Sequence, residues 1–343
     1  MSKSATVRVM SAEEIVTLGT GDVPWLRLPN PSSHFPERQM RLKQLARDHV
    51  MEDFLTFQTA VAQAQQQALD KMGAVPLPSL DELAESRRQH RPGLSVEHQQ
   101  RDPAWHAALR HIVGAVIEAA PEASRPALQE LQQASAETLE EQADALLGLG
   151  ASQLELAHAP LIGAALQVYW LHMLSQLQAQ HPDLKADELF VRPDPATHCP
   201  CCGSEPVASI TRQQGAAMAQ RYLHCALCGA EWHLQRSRCS HCMDGEELAY
   251  QSLDLANSPD DEASVGARAA KAAIQAEECG KCRHYLKIMH TDRDPFLDPV
   301  ADDLASIALD LLVADTGMTR HGYNLALIFH DTGEAAPPDS GAA

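Results

Sequence analysis

Cysteine is missing from the first 198 residues of this 343-residue sequence and from its last 61 residues. Aromatic residues make up only 4% of the chain, although hydrophobic residues make up 45%. The core is therefore predicted to consist mainly of Ala and Leu, in a chain whose composition favours helix. Its length is typical of two or three domains.

The sequence also has no excess of basic residues: it contains 27 Lys and Arg residues and 46 Asp and Glu residues, so its net charge is -19. The main local basic cluster is Arg212, Arg221, Arg236 and Arg238. Nucleic acid attracts strongly basic surfaces. A ribbon that binds nucleic acid is therefore the least favoured function, and we expect no nucleic-acid partner.

Targeting and membrane signals are absent as well. The first ten residues, MSKSATVRVM, lack the apolar segment of a secretory signal. The most apolar stretch, Leu161–Leu177, is interrupted by polar residues and is shorter than the roughly 20 residues of a span. We predict a buried helix there, no membrane span and a cytoplasmic protein, in which paired cysteines hold metal more often than they form disulfides.

Common enzyme motifs are missing too. The sequence contains no P-loop, no GxGxxG after a predicted strand, no HExxH and no GxSxG. We predict that the protein is not an enzyme, with no catalytic residues, no residues that bind an organic cofactor and no small-molecule substrate.

The sequence does contain nine cysteines between residues 199 and 282, and eight of them form four CxxC pairs. A tetrahedral ion takes two such pairs. Pairing in chain order is favoured, because interleaved pairing would require the hairpins to cross. The first predicted metal site contains Cys199, Cys202, Cys225 and Cys228, and the second contains Cys239, Cys242, Cys279 and Cys282.

Glycines support three of these four turns, because glycine permits a positive φ. Gly203 and Gly229 directly follow the first two pairs, and Gly280 lies inside the fourth pair. Cys201 is the odd thiol, predicted to be free and partly buried, with a reactive or regulatory thiol as the alternative. A tetrathiolate site suits zinc and mononuclear iron alike.

Several side chains near the pairs are predicted to support the sites rather than to bind metal. Trp232 and Tyr285 are predicted to cover the sites as core residues. The nearby histidines are predicted to pack or to hydrogen-bond around the sulfurs; they are His198, His224, His233, His241 and His284.

Apolar periodicity predicts helices in the first half of the chain and short strands in the cysteine-rich half. The predicted helices are 51–72, Trp105–Ala119, Ser124–Ala134, Ala136–Leu147, Ala159–Gln180 and Pro299–Gly317. The predicted strands are Val207–Thr211, Arg221–His224, Glu231–Gln235, Leu248–Leu255 and Tyr285–His290.

The predicted fold class is α+β, with an N-terminal all-α bundle, two small rubredoxin-like or zinc-ribbon β modules and a C-terminal helix. The proposed division is a helical domain (1–185), a linker (186–198), a first ribbon (199–236), a second ribbon (237–295), a C-terminal helix and tail (296–330), and a disordered end (331–343). Residues 256–268 are predicted to form a polar loop inserted in the second ribbon.

The sequence around the cysteine pairs resembles the sequences of a family of formate dehydrogenase accessory proteins called FdhE. The segments that carry this resemblance are HCPCCGSEPVAS (198–209), RYLHCALCGAEWH (221–233), RCSHC (238–242), CGKCRHYLKIMH (279–290) and DPVADDLASIALDLL (298–312). The helical half fits more loosely, through FLTFQTAVAQAQQ (54–66) and PLIGAALQVYWLHML (160–174).

This resemblance implies a cytoplasmic maturation factor, or chaperone, that binds the catalytic subunit of respiratory formate dehydrogenase. It implies two tetrathiolate-bound metal ions, with iron favoured and zinc as the alternative, held by the eight paired cysteines. A rubredoxin-like electron carrier is the alternative function. Because small ribbons depend on metal, we expect replacement of Cys199 and Cys202 to unfold the first ribbon and to leave the helical domain folded.

Overall fold

The computed structural model describes residues 24–97, 100–150, 153–212, 219–253 and 271–328. Helices occupy the first half of this part, strands follow in two cysteine-rich modules, and two short helices lie near the C-terminus. The predicted α+β class is confirmed. The predicted loop at 256–268 and the predicted disordered end at 331–343 lie outside the described residues.

The helical half is built around one long helix that is apolar on most sides. The helices are α1 (His34–Leu45), α2 (Glu52–Lys71), α3 (Leu80–Arg88), α4 (Ala104–Val116), α5 (Arg125–Gln133), α6 (Ala136–Leu146), α7 (Ala159–Gln180) and α8 (Ala186–Leu189). Sixteen of the 22 residues of α7 are buried, and α2, α4 and α6 pack around it. This is the core helix that the sequence predicted.

The eight strands of the described part form a single sheet. They are β1 (Leu26–Arg27), β2 (Pro206–Arg212), β3 (Gln220–Cys225), β4 (Glu231–His233), β5 (Leu248–Gln251), β6 (Ile274–Cys279), β7 (His284–His290) and β8 (Thr319–Arg320). Their order is β1-β4-β3-β2-β7-β6-β5, and β8 pairs with β7. The predicted strands are present, with shifted ends, whereas β1, β6 and β8 were not predicted.

The two ribbons are joined through one parallel pair at the centre of this sheet. Strands β2 and β7 pair with Ser209 opposite Ile288 and Thr211 opposite His290. The strand pairs inside each ribbon, β2–β3 and β3–β4 in the first and β5–β6 and β6–β7 in the second, are antiparallel. The two modules are therefore halves of one continuous sheet, which the sequence did not predict.

The helix predicted over Pro299–Gly317 is broken into α9 (Ala301–Ala305) and α10 (Ile307–Ala314). At the break, the Ser306 hydroxyl donates to the Asp302 carbonyl at 2.7 Å, and the Lys287 ammonium donates to the Asp303 carbonyl at 2.8 Å. The break turns the second half of the helix. Leu309 and Val313 are buried, whereas Leu311 and Leu312 are exposed.

The C-terminal segment also ties the helical half to the sheet. The Arg41 guanidinium of α1 lies 2.7 Å from carboxylate oxygens of both Asp294 and Asp302. The predicted linker is not a free connection either, because α8 lies within it and Leu189 and Phe190 are buried in the main core. Within the described residues, no helix is both long and apolar enough to cross a membrane.

Candidate metal centres

The first two CxxC turns have the geometry of metal knuckles. The Gly203 amide donates to the Cys199 carbonyl at 2.9 Å, and Gly203 has a φ of 88°. Gly229 has a φ of 72°, and a Cβ there would lie 2.6 Å from the His34 ring. Both positions therefore require glycine, as the sequence predicted.

The second two turns reach the same geometry without glycine. The residue after each pair again has a positive φ, 62° at Met243 and 59° at Arg283. Gly280 is not the residue with positive φ; a Cβ there would instead lie 2.7 Å from the Glu247 carboxylate. Gly280 was expected to supply a positive φ, but its lack of a side chain instead leaves room for the Glu247 side chain.

The structure brings the eight paired cysteines together in two sets, in chain order. The sulfurs of each set lie within 4.8 Å of one another. In the first set Cys199 Sγ lies 3.5 Å from Cys228 Sγ, and in the second Cys239 Sγ lies 3.7 Å from Cys282 Sγ. Four thiolates about 2.3 Å from a tetrahedral ion are separated by about 3.8 Å. Both sets fit a tetrathiolate-bound ion.

The thiols of the two sets have unequal pKa values: burial tends to raise the pKa of Cys199, but hydrogen bonds with neighbouring thiols hold it well below the ordinary value. Burial raises the pKa of Cys225 and Cys228 well above the ordinary thiol value, and it raises the pKa of Cys239 to about 11. The thiolate is the metal ligand, so binding must displace these protons. A bound cation supplies the charge that stabilises buried thiolates.

The two sets differ in their surroundings. All four cysteines of the first set are buried. The helical half contributes two backbone hydrogen bonds to the first turn: the Leu94 amide donates to the Cys201 carbonyl at 2.7 Å, and the Val96 amide donates to the Cys202 carbonyl at 3.0 Å. In the second set Cys242 is exposed and Cys282 is half-buried. The first set is enclosed and the second is open to solvent on one side.

Cys201 lies outside both sets of four. It is fully buried among apolar residues, rather than partly buried as predicted, and burial raises the pKa of its thiol well above the ordinary value. This environment disfavours the thiolate, so a reactive thiol is not supported at this position.

The nearby aromatic and histidine residues have mostly supporting contacts. Trp232 and Tyr285 are buried, as predicted, and the Trp232 indole donates to the Ala196 carbonyl at 2.9 Å. His224 lies against the Glu231 carboxylate at 3.3 Å. His198 bonds to Thr197, and His233 bonds to Gln220. The exception is the pair His241 and His284, whose nitrogens lie within 4.8 Å of Cys282 Sγ.

Two of the four arginines of the predicted basic cluster are paired with carboxylates inside the fold. Arg221 is fully buried and lies 2.7 Å from the Glu277 carboxylate of β6. Arg212 forms a two-pronged ion pair with Glu231, which Arg27 also contacts at 3.3 Å. Burial tends to raise the pKa of Glu231, but the Arg212 guanidinium and His224 hold it below its usual value. Arg212 and Arg221 therefore serve the fold, whereas Arg236 and Arg238 are exposed.

A cavity of about 520 Å³ opens where α1, the first ribbon and the segment after β7 meet. Its floor contains Arg27, Arg212 and Glu231. Two apolar side chains line it and are strongly exposed, Phe296 at 61% and Met40 at 51%. The cavity borders the first set of cysteines through Gly229.

Known protein families match nearly all of the residues that the structure describes. Family models match residues 23–186 ("FdhE, N-terminal"), 198–236 ("FdhE, central domain") and 237–327 ("FdhE, C-terminal domain"). A "Protein FdhE homolog" of Yersinia enterocolitica is 36% identical over 307 residues, 89% of this chain and 91% of the relative. One of Pectobacterium atrosepticum is 37% identical over 310 residues, 89% of this chain and 90% of the relative.

A solved structure gives the same result. The crystal structure of the FdhE protein from Pseudomonas aeruginosa matches with a TM-score of 0.75 and 35% sequence identity, covering 89% of this chain and 99% of that one. The match extends through the helices and both cysteine-rich halves of the sheet, so this chain belongs to the FdhE family.

Proposed function

We propose that this protein is a non-enzymatic maturation factor that binds the catalytic subunit of a respiratory formate dehydrogenase and supports formation of the active enzyme. The observation that carries this proposal is the family match through all three parts of the chain. The two complete sets of four cysteines agree with it, because sites filled by protein ligands leave no open position for metal catalysis. We retain the division into a helical domain and two ribbons, and a cytoplasmic location, as parts of this proposal.

The cavity beside the first set is the surface we propose for the client. It is formed by the helical half, the first ribbon and the C-terminal segment together, and it combines exposed apolar side chains with a charged floor. Interface centres are typically apolar within a polar rim. A partly folded catalytic subunit offers both kinds of complementary surface.

Co-purification tests this function. Tagged protein, purified from cells that express a formate dehydrogenase, is expected to recover the catalytic subunit, and Phe296→Ser with Met40→Ser is expected to reduce the recovery several-fold. Val50→Ser is the matched control, because Val50 is 98% exposed but does not line the cavity. No association of the unmodified protein with the subunit, with or without oxygen, would contradict the proposal.

A rubredoxin-like electron carrier is the second candidate, favoured by the exposure of Cys242 in the second set. We propose iron as the metal in both sets, with zinc as the alternative, and the eight cysteines as its ligands. Protein purified without oxygen is expected to contain two irons per chain and to show a visible colour that bleaches on reduction. Two zinc ions and no colour would exclude both iron and the electron carrier.

A further inference from the structure

Two histidines and one cysteine sulfur form a cluster on the open side of the second cysteine set. His241 is exposed and lies inside the third CxxC pair, and His284 is half-buried and follows Cys282 by two residues. One nitrogen of each ring and Cys282 Sγ lie within 4.8 Å of one another. Imidazole nitrogen and thiolate sulfur are the ligands that zinc-like ions prefer.

One nitrogen of His284 makes a hydrogen bond of the kind that metal-binding histidines commonly make. Its Nδ1 lies 2.8 Å from the Cys282 carbonyl, so this nitrogen carries the proton and donates it to the carbonyl oxygen. In a neutral ring, Nε2 then keeps its lone pair. Histidines that bind metal usually donate their other N–H to a backbone carbonyl or a carboxylate in this manner.

His241 is exposed and lies close to His284. The two rings are stacked, with centroids 3.7 Å apart and planes at 6°, and the edge of His321 packs against His241 with centroids 5.2 Å apart. An ion lies in the plane of each imidazole that binds it, so parallel rings cannot share one ion. Binding of one ion by both rings would require the exposed His241 ring to rotate, which would bring the two nitrogens to about 3.3 Å.

We propose that His241 and His284, with Cys282 Sγ as a shared ligand, bind a third soft divalent cation on the outer face of the second centre. A thiolate sulfur has more than one lone pair and bridges two such ions. A divalent ion with four thiolates carries two negative charges, which attract a further cation. An ion bound here is adjacent to the solvent-exposed second set, so this site is suited to loading or exchanging metal there.

The experiment uses the full-length protein whose two cysteine sets have been reconstituted with Zn²⁺ in place of the native metal. Metal analysis first verifies two Zn²⁺ per chain, which tests the eight-cysteine ligand set separately from the third site. Calorimetric titration with Zn²⁺ is then expected to show one further, weaker equivalent. In His241→Ala with His284→Ala, this step is expected to weaken by more than about 100-fold, because two ligands are lost.

A matched control removes two histidines from the helical half, as His90→Asn with His181→Ala. Asparagine is chosen for His90 because its φ is 54°. The control is expected to keep the third equivalent. Cadmium NMR of the cadmium-filled protein supplies a second measurement, with a third resonance at the higher shielding of a nitrogen-containing site. His284→Gln, which is closer in shape, is expected to lose this resonance while circular dichroism and the first two ions are unchanged. A third equivalent that persists in both histidine variants, or an unmodified protein that binds only two ions, would overturn the proposal.

Discussion

Replacing Cys199 and Cys202 together by alanine is expected to remove one metal ion and to lower the unfolding temperature of the helical half by at least about 10 °C. A structural metal site contributes on the order of 10 kcal/mol, which is comparable with the whole stability of a domain. The first cysteine set lies in the same buried core as Leu94, Trp105 and Trp170. The sequence alone predicts that the helices stay folded when this set is lost; from the shared core we expect them to lose stability as well.

Two variants serve as controls for this experiment. Cys279→Ala with Cys282→Ala removes the same number of thiols from the second set, which is not part of that core. It is expected to lose one ion as well, with a much smaller effect on the helices. Cys201→Ala is expected to keep both ions. The measurements are metal analysis and thermal unfolding followed by circular dichroism. An equal effect of the two double variants on the helical transition would show that the first set is not coupled to the helices.

The cysteine sets could be predicted from sequence because their geometry is local. A CxxC turn places two sulfurs together whatever the rest of the chain does, and pairing in chain order required only that hairpins do not cross. The helix α7 could be predicted for a similar reason, since most of its 22 residues are apolar and lie in one uninterrupted stretch of helix-forming sequence. Both signals lie within a short window of the sequence.

The features that could not be predicted depend on contacts between distant residues. Strand β6 contains Gln275, Glu277 and Glu278, a polar pattern typical of an exposed segment. All three are buried because partners from elsewhere reach them, among them Arg221 for Glu277 and Gln251 for Glu278. The break at Ser306 likewise depends on Lys287, which lies on β7. The sequence near each feature does not contain its partner.

The buried ion pair of Arg221 and Glu277 is a polar link between the two ribbons. Arg221 on β3 donates to the Glu277 carboxylate of β6 at 2.7 Å, to the Arg238 carbonyl at 2.9 Å and to the Ser209 hydroxyl at 3.2 Å. Arg238 directly precedes Cys239 of the second set. One side chain of the first ribbon thus holds both a strand and a CxxC turn of the second.

Arg221→Met is expected to lower the free energy of unfolding by about 3–5 kcal/mol, because Glu277 is left buried without a cation. Burial already raises the pKa of Glu277 even beside Arg221, so loss of the guanidinium raises it further. The measurement is urea unfolding of the metal-filled protein. We also expect faster release of metal from the second set to a chelator, since the Arg238 carbonyl loses its donor.

A double-mutant cycle separates the ion pair from the loss of packing. Arg221→Met with Glu277→Met removes both charges, so it is expected to be less destabilising than the sum of the two single changes. Arg88→Met is the control for an exposed ion pair, formed with Glu85, and should cost at most about 1 kcal/mol. Strict additivity in the cycle, or an Arg221→Met effect no larger than that of Arg88→Met, would contradict a linking role. A strong coupling energy together with faster metal release would instead show that Arg221, a residue of the first ribbon, stabilises the second metal centre.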